Sequence, residues 1–149
     1  MRIVKNVVLG ASLAAVAGVS YVGGVVGAND IGTMIPAGEL VFGPIAPGSP
    51  VQVAELWGDR TQGEHGMLLK IPAGFEAGLH AHTGDYHAIN LQGTWVHTLA
   101  DGQTKELPPG SYVMQPGTQN HNDVCKGPSD CILLIHQQVK GDFIPAKTQ

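Results

Sequence analysis

The chain has 149 residues and a mass of 15.5 kDa, which fits one domain. Its apolar fraction of 43% is sufficient for a packed core and excludes general disorder, and the sequence has no basic run that would bind nucleic acid electrostatically. Only 13% of the residues are charged, and the formal net charge is −4. Against this background, the seven histidines are the compositional feature that calls for a chemical explanation.

The N-terminal segment 1–28 has the pattern of a secretory signal. Arg2 and Lys5 supply two positive charges, residues 7–28 carry no charged side chain, and the segment ends in small residues at Ala28. We therefore predict a signal peptide cleaved after Ala28 and an exported protein, periplasmic or secreted. The alternative is an uncleaved membrane anchor through residues 7–28. The remaining chain is acidic, which predicts no binding to nucleic acid and, after cleavage, none to membranes.

The rest of the chain is punctuated by glycine and proline. Residues 29–50 predict an extended arm with one short strand at 39–42, and residues 51–149 predict a single domain. Short apolar or alternating runs recur in that domain, separated by turn sequences. The predicted strands are 51–57, 66–71, 86–91, 94–99, 111–114 and 131–139. Because no segment after residue 30 sustains a helical period, the sequence predicts an all-β sandwich or barrel.

Two cysteines, Cys125 and Cys131, flank the turn-forming run 126–130. An oxidising compartment would allow a disulfide across this hairpin, which would contribute about 2 kcal/mol because the closed loop is short. The alternative is two unpaired thiols. Neither cysteine has a CxxC partner, which argues against a role in metal binding.

Four histidines form a candidate metal site. His80 and His82 alternate, so on a strand both side chains point to the same face. His87 follows a polar turn, and His121 follows the turn at 116–117. Clustered imidazoles favour one divalent transition metal ion (Fe, Zn, Mn, Ni or Cu) over Mg²⁺ or Ca²⁺.

The spacing of these histidines resembles the first motif of the cupin superfamily, G-x5-H-x-H-x3–4-E-x6-G. Gly74, His80 and His82 match it directly. His87 stands at the glutamate position, separated from His82 by four residues. The closing glycine, Gly93, comes one residue early.

The second cupin motif, G-x5-P-x-G-x2-H-x3-N, is matched at Gly110, Pro116 and His121. Its inner glycine is displaced to Gly117, and Cys125 takes the place of the final asparagine. The chain is similar to small single-domain, RmlC-like cupins. Its PAG and PPGS turns resemble those of uncharacterised cupins of the DUF4437 type and of ChrR-like cupin sensor domains of anti-sigma factors.

The resemblance implies a cupin-type double-stranded β-helix, a jelly-roll barrel, with the metal held inside by His80, His82 and His121. With His87 in place of the glutamate, it implies a mononuclear four-histidine site. Asp85 is an alternative carboxylate ligand. No catalytic residue is identified.

Three other histidines receive weaker interpretations. His97 and His136 are candidates for a supporting hydrogen-bonding or acid/base role beside the metal, and the alternative for both is an ordinary hydrogen-bonded strand histidine. His65 is interpreted as a loop residue.

Two classes of function follow from the resemblance. The first is a metal-dependent enzyme, resembling a dioxygenase, isomerase or lyase, that acts on a small polar organic molecule. The alternative is a non-catalytic cupin that binds a metal or a small ligand for sensing. Cupin barrels commonly pair through their sheets, so the resemblance also implies a homodimer.

Overall fold

The computed structural model describes residues 32–147, and the predicted signal segment 1–28 lies outside them. Within the described part, the chain forms eleven short strands and one 3-10 helix, Ala37–Glu39. The strands in chain order are β1 Gly43–Pro44, β2 Gln52–Gly58, β3 His65–Ile71, β4 His80–Ala81, β5 Tyr86–Gln92, β6 Thr94–Thr98, β7 Thr104–Leu107, β8 Tyr112–Gln115, β9 Asn122–Lys126, β10 Cys131–Gln137 and β11 Ile144–Pro145. No helix between residues 32 and 147 is long and apolar enough to span a membrane.

The strands form one large sheet and two small ones, all with antiparallel pairing. The large sheet has the order β1-β2-β3-β10-β5-β8, and the small sheets are β7-β6-β9 and β4-β11. Because β10 lies between β3 and β5, the chain crosses between sheets rather than forming a simple meander. This arrangement is the expected all-β jelly-roll architecture.

The core lies between the large sheet and the sheet β7-β6-β9. Along β10, buried and half-buried residues alternate, so that Leu133 and Ile135 point inward, as the period of a strand requires. Trp95 of β6 is fully buried and packs against them from the opposite side. The interior between the sheets is therefore where the inward-facing residues of both meet.

A disulfide and a tight turn fix the end of this interior near β9 and β10. Cys125 and Cys131 are joined by a disulfide across the hairpin between these strands, with a Cα–Cα separation of 5.7 Å. Nearby, Gly93 reverses the chain between β5 and β6 with a φ of +76°, and a Cβ there would lie 2.7 Å from the carbonyl oxygen of Asp130. Only glycine fits this turn without strain.

The six strands predicted in residues 51–149 are observed with end shifts of one to two residues. The predicted strand at 39–42 is wrong, because residues 37–39 form the 3-10 helix and pairing begins only at β1. Since β1 pairs with β2, this part of the predicted arm belongs to the large sheet. Strands β7 and β9 were missed: β7 is an exposed edge strand with no buried face, and β9 turns the polar Asp123 inward.

Candidate metal centre

Three of the four predicted ligands come together. His80 lies on β4, His82 follows two residues later, and His121 immediately precedes β9. One potential ligand atom from each lies within 4.8 Å of the other two. His80 and His121 also exchange two backbone hydrogen bonds, of 2.9 and 2.8 Å, so that the two motifs are joined directly at the site.

The main chain sets the tautomer of all three rings. Each Nδ1 faces a backbone carbonyl oxygen: His80 that of Gly78 at 2.8 Å, His82 that of Asp142 at 2.5 Å and His121 that of Gln119 at 3.2 Å. Since a carbonyl can only accept, each Nδ1 carries the proton, and in the neutral ring the lone pair lies on Nε2. Such hydrogen bonds orient histidine ligands in metal sites.

Burial keeps two of these rings neutral. It is the main cause that lowers the pKa of His80, and it lowers the pKa of His121 to about 4 although the charge of Asp123 opposes the shift. Neutral imidazole is the form that binds a metal. At neutral pH His80 and His121 therefore present lone pairs rather than protons.

Sequence analysis missed Asp123, a buried carboxylate beside the cluster. Its Oδ1 accepts hydrogen bonds from Trp95 Nε1 and His97 Nδ1, both at 2.7 Å. Its Oδ2 lies 3.5 Å from His121 Nε2 and 3.8 Å from His80 Nε2. Burial alone would raise the pKa of this carboxyl, but its interactions with His97, His121 and Trp95 together outweigh burial, and the pKa is lowered. The signal was available, because Asp123 lies two residues after His121 and so shares its face of the strand.

His97 lies inside the barrel behind Asp123. In addition to its bond to Asp123, its Nε2 lies 3.1 Å from Oε1 of Gln115, whose amide nitrogen donates to the carbonyls of Pro116 and Gln119. His97 thus supports the carboxylate and takes no place in the histidine cluster.

His87 does not reach the cluster, and the prediction of a four-histidine site is corrected. Residues of β5 alternate between buried and exposed, with Tyr86 inside and His87 outside. On the outer face His87 Nδ1 lies 2.7 Å from the Tyr112 hydroxyl. The inward position belongs to Tyr86, whose hydroxyl lies 3.4 Å from His121 Nε2. The motif allows three or four residues between the second histidine and the glutamate position. Counting three intervening residues after His82 would have selected Tyr86.

Two further candidate residues lie away from the cluster. Asp85 is not at the cluster, because its Oδ1 accepts the backbone N–H of Gly117 at 2.6 Å on the surface. His136 points outward from β10, where its Nε2 lies 3.0 Å from a carboxylate oxygen of Glu64 and its ring is near Trp57. The alternation of β10 places its neighbours Ile135 and Gln137 inside and His136 outside.

The C-terminal segment closes the site. Pairing of β11 with β4 brings Asp142 and Phe143 over the histidines. The Phe143 ring stacks on His80 with ring centroids 4.3 Å apart and an interplanar angle of 19°. Nothing local in the sequence predicts this contact, which depends on the return of the chain to the β4 edge.

The cluster opens into a cavity of about 470 Å³ inside the barrel. Its polar lining includes His80, His82 and Asp123 and also Arg60, His65 and Gln137, whereas the walls are mainly apolar. The apolar residues include Met67, Leu69, Ile71, Phe75, Leu133 and Ile135. A cavity of this size can hold a small organic molecule.

His65 also lines the cavity, although the sequence suggested a loop residue. It begins β3 and is completely buried. Its Nδ1 donates to the carbonyl of Gly63 at 2.9 Å, and its Nε2 has no hydrogen-bond partner among residues 32–147. His65 therefore contributes an Nε2 atom without a hydrogen-bond partner in the described residues to the cavity wall.

Comparison with known proteins agrees with this architecture. The profile of a family described as "Domain of unknown function (DUF4437)" matches residues 41–140. No curated protein sequence matches the chain.

Several solved structures have a similar fold. The polyketide cyclase RemF from Streptomyces resistomycificus has a TM-score of 0.65 and 15% identity, covering 80% of this chain and 88% of that one. A predicted oxalate decarboxylase from Thermotoga maritima has a TM-score of 0.59 and 20% identity, covering 72% and 99%. An RmlC-like cupin protein from Ralstonia eutropha JMP134 has a TM-score of 0.57 and 28% identity, covering 74% and 69%.

Proposed function

We propose that this chain, which belongs to the DUF4437 family of the cupin superfamily, is a metal-dependent enzyme. One divalent transition metal ion binds at His80, His82 and His121. Its substrate is a small organic molecule bound in the barrel cavity. The observation that carries the proposal is the set of three rings whose Nδ1 protons are all committed to main-chain carbonyls, which leaves three Nε2 atoms for a metal.

The residues around the cluster suit such a site. A metal ion bound there would supply Lewis-acid polarisation of an oxygen on the substrate. Tyr86 is the candidate proton donor, because its hydroxyl lies 3.4 Å from His121 Nε2 and faces the same space. Burial, and then the charge of Asp123, raise the pKa of Tyr86 well above its usual value of 10.0, so the hydroxyl keeps its proton at neutral pH.

The cavity walls narrow the class of substrate. Apolar side chains favour an apolar body, and the histidines with Asp123 favour a polar group at the metal end. The expected small polar molecule therefore becomes one with a polar head and an apolar remainder. The similar solved structures include a polyketide cyclase and a predicted oxalate decarboxylase. Their likeness concerns the fold alone, so it does not choose between a dioxygenase, an isomerase and a lyase reaction.

Metal analysis tests the site. We expect the purified protein, reconstituted separately with Fe²⁺, Mn²⁺, Zn²⁺, Ni²⁺ and Cu²⁺, to retain close to one ion per chain of at least one metal. His80→Ala and His121→Ala should lose most of it, whereas His87→Ala, an exposed histidine on the outer face, is the matched control and should retain it. Wild-type protein that retains none of the five metals would refute the proposal.

Turnover separates the enzyme from a non-catalytic sensor. The Fe²⁺ form is assayed for O₂ uptake, and the Zn²⁺ and Mn²⁺ forms for product formation, with small diketones, catechols and thiols. Turnover that disappears in Tyr86→Phe while the metal stays bound supports the enzyme. A metal-loaded protein that binds such molecules without converting them supports the sensing alternative.

We also propose that the protein is exported. The disulfide between Cys125 and Cys131 supports this, because such bonds persist mainly in oxidising compartments. Cell fractionation with an antibody against the protein tests the proposal, and recovery solely in the cytoplasm at full chain length would contradict it.

A homodimer is a further proposal. The outer face of β5 and β8 carries exposed apolar side chains, namely Ile89, Leu91, Tyr112 and Met114. Burying them against a second copy would remove apolar area from water. Light scattering over a range of concentrations tests the pairing, and a monomer throughout would contradict it.

A further inference from the structure

We infer that Asp123 is the fourth ligand of the metal and that it supplies the anionic charge which the first cupin motif places on glutamate. This inference rests on the proposed metal site at His80, His82 and His121. The carboxylate lies on β9, whereas the glutamate position of the first motif is occupied by His87 on β5.

The position of Asp123 Oδ2 fits a shared metal ion. Metal–ligand bonds of about 2.1 Å in a tetrahedral site place neighbouring ligand atoms about 3.4 Å apart. The observed separations are 3.5 Å to His121 Nε2 and 3.8 Å to His80 Nε2. The carboxylate oxygen therefore lies where a ligand shared with these two rings would lie.

The protonation of the neighbouring groups leaves Oδ2 without a good donor. His80 and His121 carry their protons on Nδ1, so their Nε2 atoms face Oδ2 with lone pairs. The Tyr86 hydroxyl lies a long 3.4 Å from His121 Nε2. Buried acceptors that face one another repel, and a cation between them converts this repulsion into attraction.

The other oxygen of Asp123 is held in place. Oδ1 accepts from both Trp95 and His97, and the ring of His97 is itself held by Gln115. The backbone register supports this arrangement, because His97 and Asp123 are directly paired between β6 and β9. Oδ2 is thereby directed at the histidines before any ligand binds, which lowers the conformational cost of coordination.

The chemical consequence is a less positive site. A divalent ion with three neutral histidines carries a net charge of +2, and coordination by Asp123 reduces it to +1. The substrate head would then bind as a fifth ligand, as a neutral or singly charged oxygen group rather than a multiply charged anion.

The experiment uses Zn²⁺ as the probe and three matched carboxylate-to-amide variants. Asp123→Asn should lower the Zn²⁺ association constant by at least about 100-fold in calorimetric titration, above the range typical of groups that only orient a ligand. Asp85→Asn, which makes the same change on the surface away from the cluster, should stay within about threefold of the wild type. Asp142→Asn serves only in the spectroscopy below, because the Asp142 carbonyl orients His82. Far-UV circular dichroism checks that each variant is folded.

Infrared difference spectroscopy of Zn²⁺ binding provides a readout that does not depend on affinity. Direct coordination should shift a carboxylate stretching band in wild-type protein labelled with ¹³C at the aspartate carboxyl, and this shift should persist in Asp85→Asn and Asp142→Asn. If Asp123→Asn does not fold, these two variants and the wild type still decide the assignment.

The outcomes distinguish the inference from the proposal on which it rests. Absence of binding of Zn²⁺ and of each of the other four metals by the wild type refutes the metal site itself. If the wild type retains another of the five ions but not Zn²⁺, that ion replaces Zn²⁺ as the probe. Zn²⁺ binding that requires His121 but produces no aspartate band shift, or a shift that survives in Asp123→Asn, overturns Asp123 as a ligand and leaves the three-histidine site intact.

Discussion

Acidification of the metal-free protein should destabilise the fold through His121. The perturbation is a change from pH 7 to pH 5. Burial lowers the pKa of this ring from 6.5 to about 4 in the folded chain, so the unfolded chain binds the proton first as the pH falls. The stability that the neutral ring contributes is therefore complete above about pH 6.5 and is lost progressively towards pH 4.

The magnitude follows from the two pKa values. With a pKa of 6.5 in the unfolded chain and about 4 in the folded chain, the free energy of unfolding falls by about 2 kcal/mol between pH 7 and pH 5. Because the cluster opens into a cavity that water can enter, screening reduces this to about 1 to 2 kcal/mol. The pKa of His80 is lowered as well, so its contribution has the same sign.

Urea unfolding followed by circular dichroism at pH 7, 6 and 5 in the presence of a chelator measures the effect. His121→Gln removes the titrating group. Between pH 7 and pH 5, its free energy of unfolding should fall by about 1 to 2 kcal/mol less than that of the wild type, whatever its stability at pH 7. His87→Gln is the matched control on the outer face and should follow the wild type. Parallel pH profiles for the wild type and His121→Gln would refute the reasoning.

Two predictions concern the framework around the site. Replacing both Cys125 and Cys131 with alanine should lower the free energy of unfolding by about 2 kcal/mol, because the disulfide closes only a short loop in the unfolded chain. Calorimetry measures this change, and an unchanged melting temperature would contradict the prediction. Leu133→Ala should cost about 2 to 3 kcal/mol in urea unfolding, at the lower end for a buried leucine because the side chain borders an existing cavity. A loss below about 1 kcal/mol would show that Leu133 is not part of the packed core.

Local patterns predicted the parts of the site that depend on short spacings. The alternation of His80 and His82 placed both on one face, and the two motifs correctly joined them to His121. The same reasoning failed at His87, because successive side chains of a strand point to opposite faces of the sheet. The length of the preceding turn decides which residues point inward. A difference of one residue in that turn placed Tyr86 inside and His87 outside.

The residues that the sequence did not reveal are those brought in by distant pairing. His97 meets Asp123 because β6 and β9 align them in register, and Asp142 reaches His82 because β11 returns to β4. His65 is buried because β3 lies between β2 and β10 in the large sheet. None of these contacts leaves a pattern in a single segment.

The sequence by itself thus determined the all-β class, most of the strands and the three histidines of the cluster, since strand period, turn residues and motif spacing are local properties. Only the tertiary structure decided which residues from distant segments surround the cluster and that an apolar cavity adjoins it. The physical reason is that burial and convergence depend on which strands become neighbours, and those neighbours are far apart along the chain.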